Sequence, residues 1–156
     1  MGTRRVIPVP VAAMVLAGGL LTAVGIAALP SQASGLRKAG NETTAIASLR
    51  TLVTAQTLFR RSDMDIDGVA DYAADLTQLL AAELIDRVLA SSLKQGYVYE
   101  VYAGGEPADN WCATAIPQNP GVTGRRSFFV DHSGVIRFAH ADRGEIAWAG
   151  SPSIAK

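Results

Sequence analysis

Residues 41–59 read NETTAIASLRTLVTAQTLF, and this stretch decides the fold. Its apolar residues recur at intervals near three and four, which places them on one side of an α-helix. They are Ala45, Ile46, Leu49, Leu52, Val53 and Phe59. No proline occurs between Leu36 and Arg61, so a single helix can run through the whole stretch. The charged residues, Glu42 and Arg50 among them, are expected to lie largely on the opposite side.

An apolar segment precedes this helix. Val6 to Leu29 is a run of 24 uncharged residues that follows Arg4 and Arg5. At about 1.5 Å per helical residue the run spans about 36 Å, enough to cross a hydrocarbon core of about 30 Å. The arginines favour a cytoplasmic start, which places the rest of the chain outside. We predict a basic start at 1–8, a transmembrane helix or signal segment at 9–29, an amphipathic helix at 30–62 and the remaining domain at 63–156.

The same segment has a second interpretation. A secretory signal ends in small residues before the cleavage point, and Ser31-Gln32-Ala33 offers such a site just after Pro30. Against cleavage, the apolar run is longer than a signal needs, and the residues after it continue a helical pattern. The sequence therefore leaves two alternatives open, which are a membrane anchor and a cleaved signal that releases the domain.

The pattern changes twice beyond residue 62. Apolar residues at Leu76, Leu79, Leu80, Leu84 and Val88 predict one shorter second helix with Asp75 as its N-cap. From Gly96 the period becomes two, and four runs rich in aromatic and β-branched residues predict strands at 97–104, 111–118, 126–131 and 134–140. Because an isolated long helix is marginal in water, we expect the sheet to cover it. The predicted fold class is α+β, with a long N-terminal helix packed against three or four antiparallel strands.

Four stretches, in this order, resemble the type IV pilin-like proteins and type II secretion pseudopilins. They are NETTAIASLRTLVTAQTLF (41–59), DLTQLLAAELIDRVLA (75–90), GYVYEVYA (96–103) and TGRRSFFVDHSGVIRFA (123–139). The resemblance implies a helix that is embedded in the membrane by its first half and carries a small antiparallel sheet on its second half. It also matches Pro30 with a proline that softens this helix at the end of the membrane segment.

The N-terminus departs from that family. The family's processing site is a glycine followed by an aromatic residue and, four residues later, a glutamate. Counting back from Pro30 puts Pro8 and Ala13 at the glycine and glutamate positions, and residues 1–35 contain no acidic residue. We therefore expect neither cleavage by a prepilin peptidase nor the family's usual filament assembly through that buried carboxylate.

The sharpest local motif is the acidic segment DMDIDG at 63–68. Alternating carboxylates followed by a glycine can wrap a hard cation, since the side chains converge and the glycine permits a sharp turn. Asp63, Asp65, Asp67 and Asp71 are the candidate ligands, and calcium is the candidate ion because every ligand is oxygen. The twelfth position is Ala74, so the segment is not an EF-hand. The alternative is a solvated loop whose aspartates form local turns.

The composition argues against several classes of function. From Leu36 onward twelve basic residues face fourteen acidic ones, which disfavours nucleic-acid binding. Two histidines and one cysteine cannot supply a zinc site of four nitrogen and sulfur ligands, and no motif indicates an activated nucleophile. We therefore expect no enzymatic activity and no small-molecule substrate. Cys112 is interpreted as a partly buried apolar side chain, and five aromatic residues as core and sheet-face packing: Trp111, Phe128, Phe129, Phe138 and Trp148.

The leading hypothesis is a non-enzymatic, pilin-like subunit of a secretion, pilus or surface apparatus. It would be a single-pass protein of the bacterial inner membrane, held by residues 9–29, with its C-terminal domain periplasmic or extracellular. Its N-terminal helix would pack against protein partners or against copies of itself. The alternative is a small secreted or periplasmic binding module that signal peptidase releases and that calcium stabilises.

Overall fold

The computed structural model describes residues 30–105 and 108–154. The predicted membrane or signal segment at 9–29 lies outside the described residues. Helix α1 occupies Pro30–Ser62, so the predicted long N-terminal helix is confirmed. Among the helices that the structure describes, none is both long and apolar enough to cross a membrane.

Two short helices and a five-stranded sheet follow α1. The helices are α2 at Leu76–Ala81 and α3 at Arg87–Ala90. The strands are β1 at Leu93–Lys94, β2 at Tyr97–Gly104, β3 at Asn110–Pro117, β4 at Arg126–Asp131 and β5 at Arg137–His140, and a 3₁₀ turn at Ala141–Arg143 follows them. The sheet order is β1-β2-β3-β4-β5 and all pairs are antiparallel. The predicted α+β class and antiparallel meander are confirmed.

The predicted strand number of three or four is wrong because β1 was missed. Lys94 pairs with Tyr97 across the two residues Gln95 and Gly96, both of which have positive φ (49° and 71°). A two-residue hairpin turn needs positive φ at both central positions, and its twist matches that of the strands it joins. Gly96 adopts this conformation without strain. The Gln95-Gly96 dipeptide was therefore the available sequence signal for an additional strand.

The single helix predicted over Leu76 to Val88 is also wrong, since the chain forms two helices there. Glu83 takes positive φ (57°), its N–H bonds to the Leu80 carbonyl at 2.9 Å, and the Leu84 N–H bonds to the Leu79 carbonyl at 3.0 Å. This pair of bonds is a Schellman motif, which ends a helix by satisfying its last carbonyls. Asp86 then caps α3 through Leu89 N–H. Asp75 caps α2 through Thr77 N–H and Gln78 N–H, as predicted.

The core lies between α1 and the inner face of the sheet. Leu49 and Leu52 of α1 are fully buried, as are Tyr99 of β2, Ala113 of β3 and Phe128 of β4. Leu79 and Leu89 close one end of the core from α2 and α3. The sheet therefore rests on residues 41–59, which places one long helix face in contact with the strands and leaves the other face for solvent or partners.

Candidate functional site

Glu42 joins α1 to the start of β4, which corrects the expectation that it faces outward. One of its carboxylate oxygens accepts hydrogen bonds from Arg125 N–H (2.8 Å) and Arg126 N–H (3.2 Å). The other accepts a hydrogen bond from Arg126 Nε (2.9 Å) and forms an ion pair with a terminal guanidinium nitrogen at 2.9 Å. The Arg126 guanidinium also lies over the ring of Phe128. A buried carboxylate is tolerated when it is paired and hydrogen-bonded in this way.

Four other polar side chains attach α1 to the loops. Lys38 Nζ donates to the Gly121 carbonyl (3.1 Å), and Asn41 donates to the Thr123 carbonyl (2.9 Å). At the other end, the buried amide of Gln56 exchanges two hydrogen bonds of 2.9 Å with the backbone of Ala73. Arg60 donates to the Asp109 carbonyl (3.3 Å). Hydrogen bonds at both ends therefore fix the register of the helix on the domain.

The face of α1 that points away from the sheet carries an uncharged line of side chains, here named the outer stripe. It comprises Leu36, Gly40, Thr44, Ala47, Thr51, Thr54 and Leu58. The buried Leu49 is nine residues from both Gly40 and Leu58, which is two and a half helical turns, so the outer stripe lies opposite the core. Thr44 is half-buried and the others are exposed, with Leu36 exposed by 76%. The stripe is about 33 Å long at the helical rise.

The threonine hydroxyls of this region are already hydrogen-bonded within the helix. Those of Thr44, Thr51 and Thr54 donate to the carbonyls four residues earlier at 3.1–3.2 Å. Thr43 and Thr57, at the margins of the stripe, do the same. With its hydroxyl satisfied locally, such a threonine presents chiefly its methyl group to the outside. Between its terminal leucines, the outer stripe is therefore a helix surface of small, uncharged residues.

The acidic loop brings together three of the four predicted calcium ligands. Oxygen atoms of Asp63, Asp65 and Asp67 all lie within 4.8 Å of one another, and Asp71 is not part of this group. The loop begins with a Schellman motif, since Asp63 has positive φ (46°) and Met64 N–H bonds to the Phe59 carbonyl. Gly68 N–H donates to Asp63 Oδ2 at 3.0 Å. These local bonds account for the shape of the loop and do not themselves require a metal.

Two features of the acidic loop bear on cation binding. Asp63 Oδ1 is buried and has no hydrogen-bond partner among the described residues. The pKa of Asp65 lies above its ordinary value of 3.8, since desolvation and then the neighbouring charges of Asp67 and Asp71 disfavour its ionised form. An orphaned acceptor beside crowded carboxylates fits a hard cation. The calcium site stays a prediction.

The groups considered for catalysis are spread over the domain. Cys112 is half-buried, and burial followed by the charge of Asp131 raises the pKa of its thiol, which disfavours the reactive thiolate. His132 is exposed in the hairpin after β4, and His140 Nδ1 lies 3.9 Å from Asp142 Oδ1.

Of the five aromatic residues assigned to packing, Trp111 and Phe128 are buried. Phe129 and Phe138 are half-buried, whereas Trp148 is 65% exposed, so its assignment to packing is wrong.

Three polar residues of α1 are buried, Ser48 and the two that link α1 to other elements, and sequence reasoning missed those two, Glu42 and Gln56. Both belong to the buried repeat itself, which comprises Glu42, Ala45, Leu49, Leu52, Gln56 and Phe59. The intervals of this series are three, four, three, four and three. A polar residue in register with an apolar repeat was thus the signal that could have identified both.

Comparison with known proteins assigns neither a family nor a function, since no family model, curated protein or solved structure matches this chain.

Proposed function

We propose that this protein is a non-enzymatic, pilin-like structural subunit anchored in the bacterial inner membrane by residues 9–29. Its domain would lie outside the cytoplasm, and α1 would pack against partner subunits of a secretion, pilus or surface apparatus. The observation that carries this proposal is the division of α1 into two faces. One face supports the sheet over residues 41–59, and the other carries the uncharged outer stripe over about 33 Å.

The properties of the outer stripe favour helix packing over solvent exposure. Small side chains let a second helix approach closely, and satisfied hydroxyls lower the cost of removing water from the surface. The exposed Leu36 and Leu58 near its ends add apolar area. In addition, α1 includes Pro30, the first residue after the apolar segment, so the described helix and the predicted anchor are contiguous in the chain.

Cell fractionation followed by N-terminal sequencing tests the anchor. We expect the full-length chain, still beginning near Met1, in the membrane fraction, and we expect detergent but not high salt to release it. An Ala33→Tyr variant, which blocks the candidate signal-peptidase site, should leave the size of the protein unchanged. A soluble protein that begins at Ser34, together with a larger Ala33→Tyr product, would overturn the anchor.

Site-specific photo-crosslinking tests the packing surface. A photoreactive residue placed at Thr51 in the membrane-bound chain should give discrete protein adducts, because Thr51 lies at the centre of the outer stripe. A charge at Ala47 in the stripe (Ala47→Arg) should remove them. Thr57→Arg is the matched control, since Thr57 is exposed on the same helix but lies at the margin of the stripe. Adducts that persist in Ala47→Arg would contradict packing through this face.

The second candidate is a secreted or periplasmic binding module ordered by calcium. The buried, unpartnered Asp63 Oδ1 beside Asp65 and Asp67 favours this candidate. The two candidates differ in the fate of residues 1–33, so the same N-terminal sequencing separates them. Calcium stabilisation is compatible with either outcome and is tested separately below.

A further inference from the structure

Two exposed apolar features lie side by side along the β5 edge of the sheet. The segment 152–154 runs along this edge, since Phe138 N–H bonds to the Pro152 carbonyl and Ile154 N–H bonds to the Ile136 carbonyl. Ile146 and Trp148, exposed by 59% and 65%, line a cavity of about 550 Å³ that also includes Pro152. A second depression, of about 400 Å³, includes Ser153 and Ile154. Large apolar side chains exposed together on a small domain indicate an interaction surface.

The exposed Trp148 is tied to its neighbours by backbone hydrogen bonds and by contact of its ring with Gly150. Trp148 N–H bonds to Ser151 Oγ (3.1 Å), and Ser151 N–H bonds back to the Trp148 carbonyl (2.9 Å). The indole ring lies so close to the Cα of Gly150 that any side chain at that position would collide with it. Buried Ser127 fixes the preceding residues, since it accepts from Ala147 N–H at 2.9 Å. An aromatic residue that is ordered yet exposed loses little entropy on binding, which suits it as an interface anchor.

We name the three exposed residues Glu145, Ile146 and Trp148 the Trp148 ridge. The neighbouring depression is lined by Arg50 of α1 and by mostly apolar residues of the β4–β5 hairpin and the C-terminal segment. These residues are Gly134, Val135, Ile136, Ser153 and Ile154. Among the residues that the structure describes, no carboxylate forms an ion pair with the Arg50 guanidinium. The depression thus combines a largely apolar lining with a cation that no described carboxylate neutralises.

The ridge and the depression are complementary in polarity and in charge. The indole of Trp148 and the side chain of Ile146 match the apolar floor, and the exposed carboxylate of Glu145 matches Arg50. An arginine at the rim also favours an aromatic ring, through a cation–π contact. Because both features belong to one edge of the same chain, two copies related by a two-fold axis satisfy both of them twice. The partner whose ridge matches the polarity and charge of the depression is therefore a second copy of this chain.

We infer that two copies of this chain pair through the β5 edge, each inserting its Trp148 ridge into the Arg50 depression of the other. This inference deepens the proposed function, because it names a second copy as one partner of the subunit. The contact is separate from the outer stripe, so a pair formed in this way keeps its stripes available for other subunits.

Charge reversal in the full-length chain in detergent micelles tests this inference, with light scattering corrected for detergent as the measure of mass. We expect Glu145→Arg and Arg50→Glu each to weaken self-association by roughly 30- to 100-fold, since each variant places like charges at both contacts of the pair. A 1:1 mixture of the two variants should restore association, because each chain then faces an opposite charge at both contacts. Trp148→Ala should weaken association by roughly 100-fold.

Several outcomes of these measurements would support or overturn the inference. Arg61→Glu, which reverses an exposed charge elsewhere on α1, is the matched control and should associate as the unmodified chain does. A chain that is monomeric at all concentrations, or variants whose self-association is unchanged, would overturn the inference. So would a failure of the mixture to restore association when each single variant keeps the melting temperature of the unmodified chain. None of these results affects the membrane anchor or the outer stripe, whose tests use Ala33→Tyr and Ala47→Arg.

Discussion

At the scale of single residues, Glu42 fixes where the sheet sits on α1. Its carboxylate accepts three hydrogen bonds from Arg125 and Arg126 and forms an ion pair with the Arg126 guanidinium, and both partners lie more than eighty residues away in the chain. A carboxylate in an apolar interface is costly unless it is paired, so only one register of helix and sheet satisfies it. We interpret Glu42 as a determinant of register whose contribution to net stability is secondary.

Removing this carboxylate should destabilise the domain. Glu42→Ala leaves the Arg126 guanidinium and two backbone N–H groups without their acceptor. Because the Arg126 side chain is 34% exposed, water offsets part of the loss, and we expect the free energy of unfolding to fall by about 2–3 kcal/mol. Urea unfolding measures this change. Arg37→Ala, at an exposed site on the same helix, should change it by less than about 0.5 kcal/mol. Equal effects of the two substitutions would show that Glu42 has no special role.

The acidic loop supports a second prediction at this scale. Since the folded pKa of Asp65 exceeds the ordinary value of 3.8, the folded chain binds this proton more readily. The stability cost of the ionised carboxylate therefore develops as pH rises above 3.8 and is complete once pH exceeds the folded pKa. Millimolar calcium at pH 7 should relieve that cost and raise the melting temperature by about 2–6 °C. Asp65→Asn should raise the melting temperature slightly without calcium and abolish the calcium effect. Magnesium is the control, and an unchanged melting temperature in calcium would rule out the site.

At the scale of elements, apolar periodicity predicts most of α1 but not the elements or residues that lack an apolar repeat. Apolar periodicity predicted its span and its buried face, because Ala45, Leu49 and Leu52 follow the helical repeat. The same method left out Gln56, whose side chain is polar although its position belongs to that repeat. Strand β1 was missed for a related reason, since two residues are too few for a periodic pattern and only the Gln95-Gly96 turn indicates them. The acidic loop was located from its composition alone, but the separation of Asp71 from the other three depends on the backbone path.

Gln56 links α1 to the connection that leads into α2. Gln56→Ala leaves both the N–H and the carbonyl of buried Ala73 unpaired, so we expect the unfolding free energy to fall by about 2–3 kcal/mol. Hydrogen exchange at the Ala73 amide should accelerate more than exchange in β3, because the loss is local. Thr57→Ala, at the neighbouring exposed position, should alter neither quantity. Uniform acceleration across the domain would indicate that Gln56 acts on global stability alone.

At the scale of the whole molecule, the helix is part of the domain that it carries. Fully buried residues of α1, among them Ala45, Leu49 and Leu52, belong to the same core as those of the sheet. Residues 32–37 are instead mostly exposed, and Lys38 donates a hydrogen bond to the Gly121 carbonyl. If the proposed function is correct, a force or displacement applied through the anchor reaches the strands through packed side chains and the Glu42 ion pair.

Progressive truncation from the N-terminus tests whether α1 and the sheet fold as one unit. A chain that begins at Ser34 keeps every contact from Lys38 onward, so we expect cooperative thermal unfolding and a free energy within about 1 kcal/mol of that of the detergent-solubilised full-length domain. A chain that begins at Ala47 loses Asn41, Glu42 and Ala45, and with them an ion pair and part of the core. Each such loss costs about 2–3 kcal/mol against a total stability of about 5–15 kcal/mol, so we expect no cooperative transition or one shifted by more than 15 °C. Circular dichroism measures both. Matching transitions in the two truncated chains would mean that the strands fold without the first turns of α1, and a helix that is dispensable to its own sheet could not serve as the shared scaffold of anchor and domain.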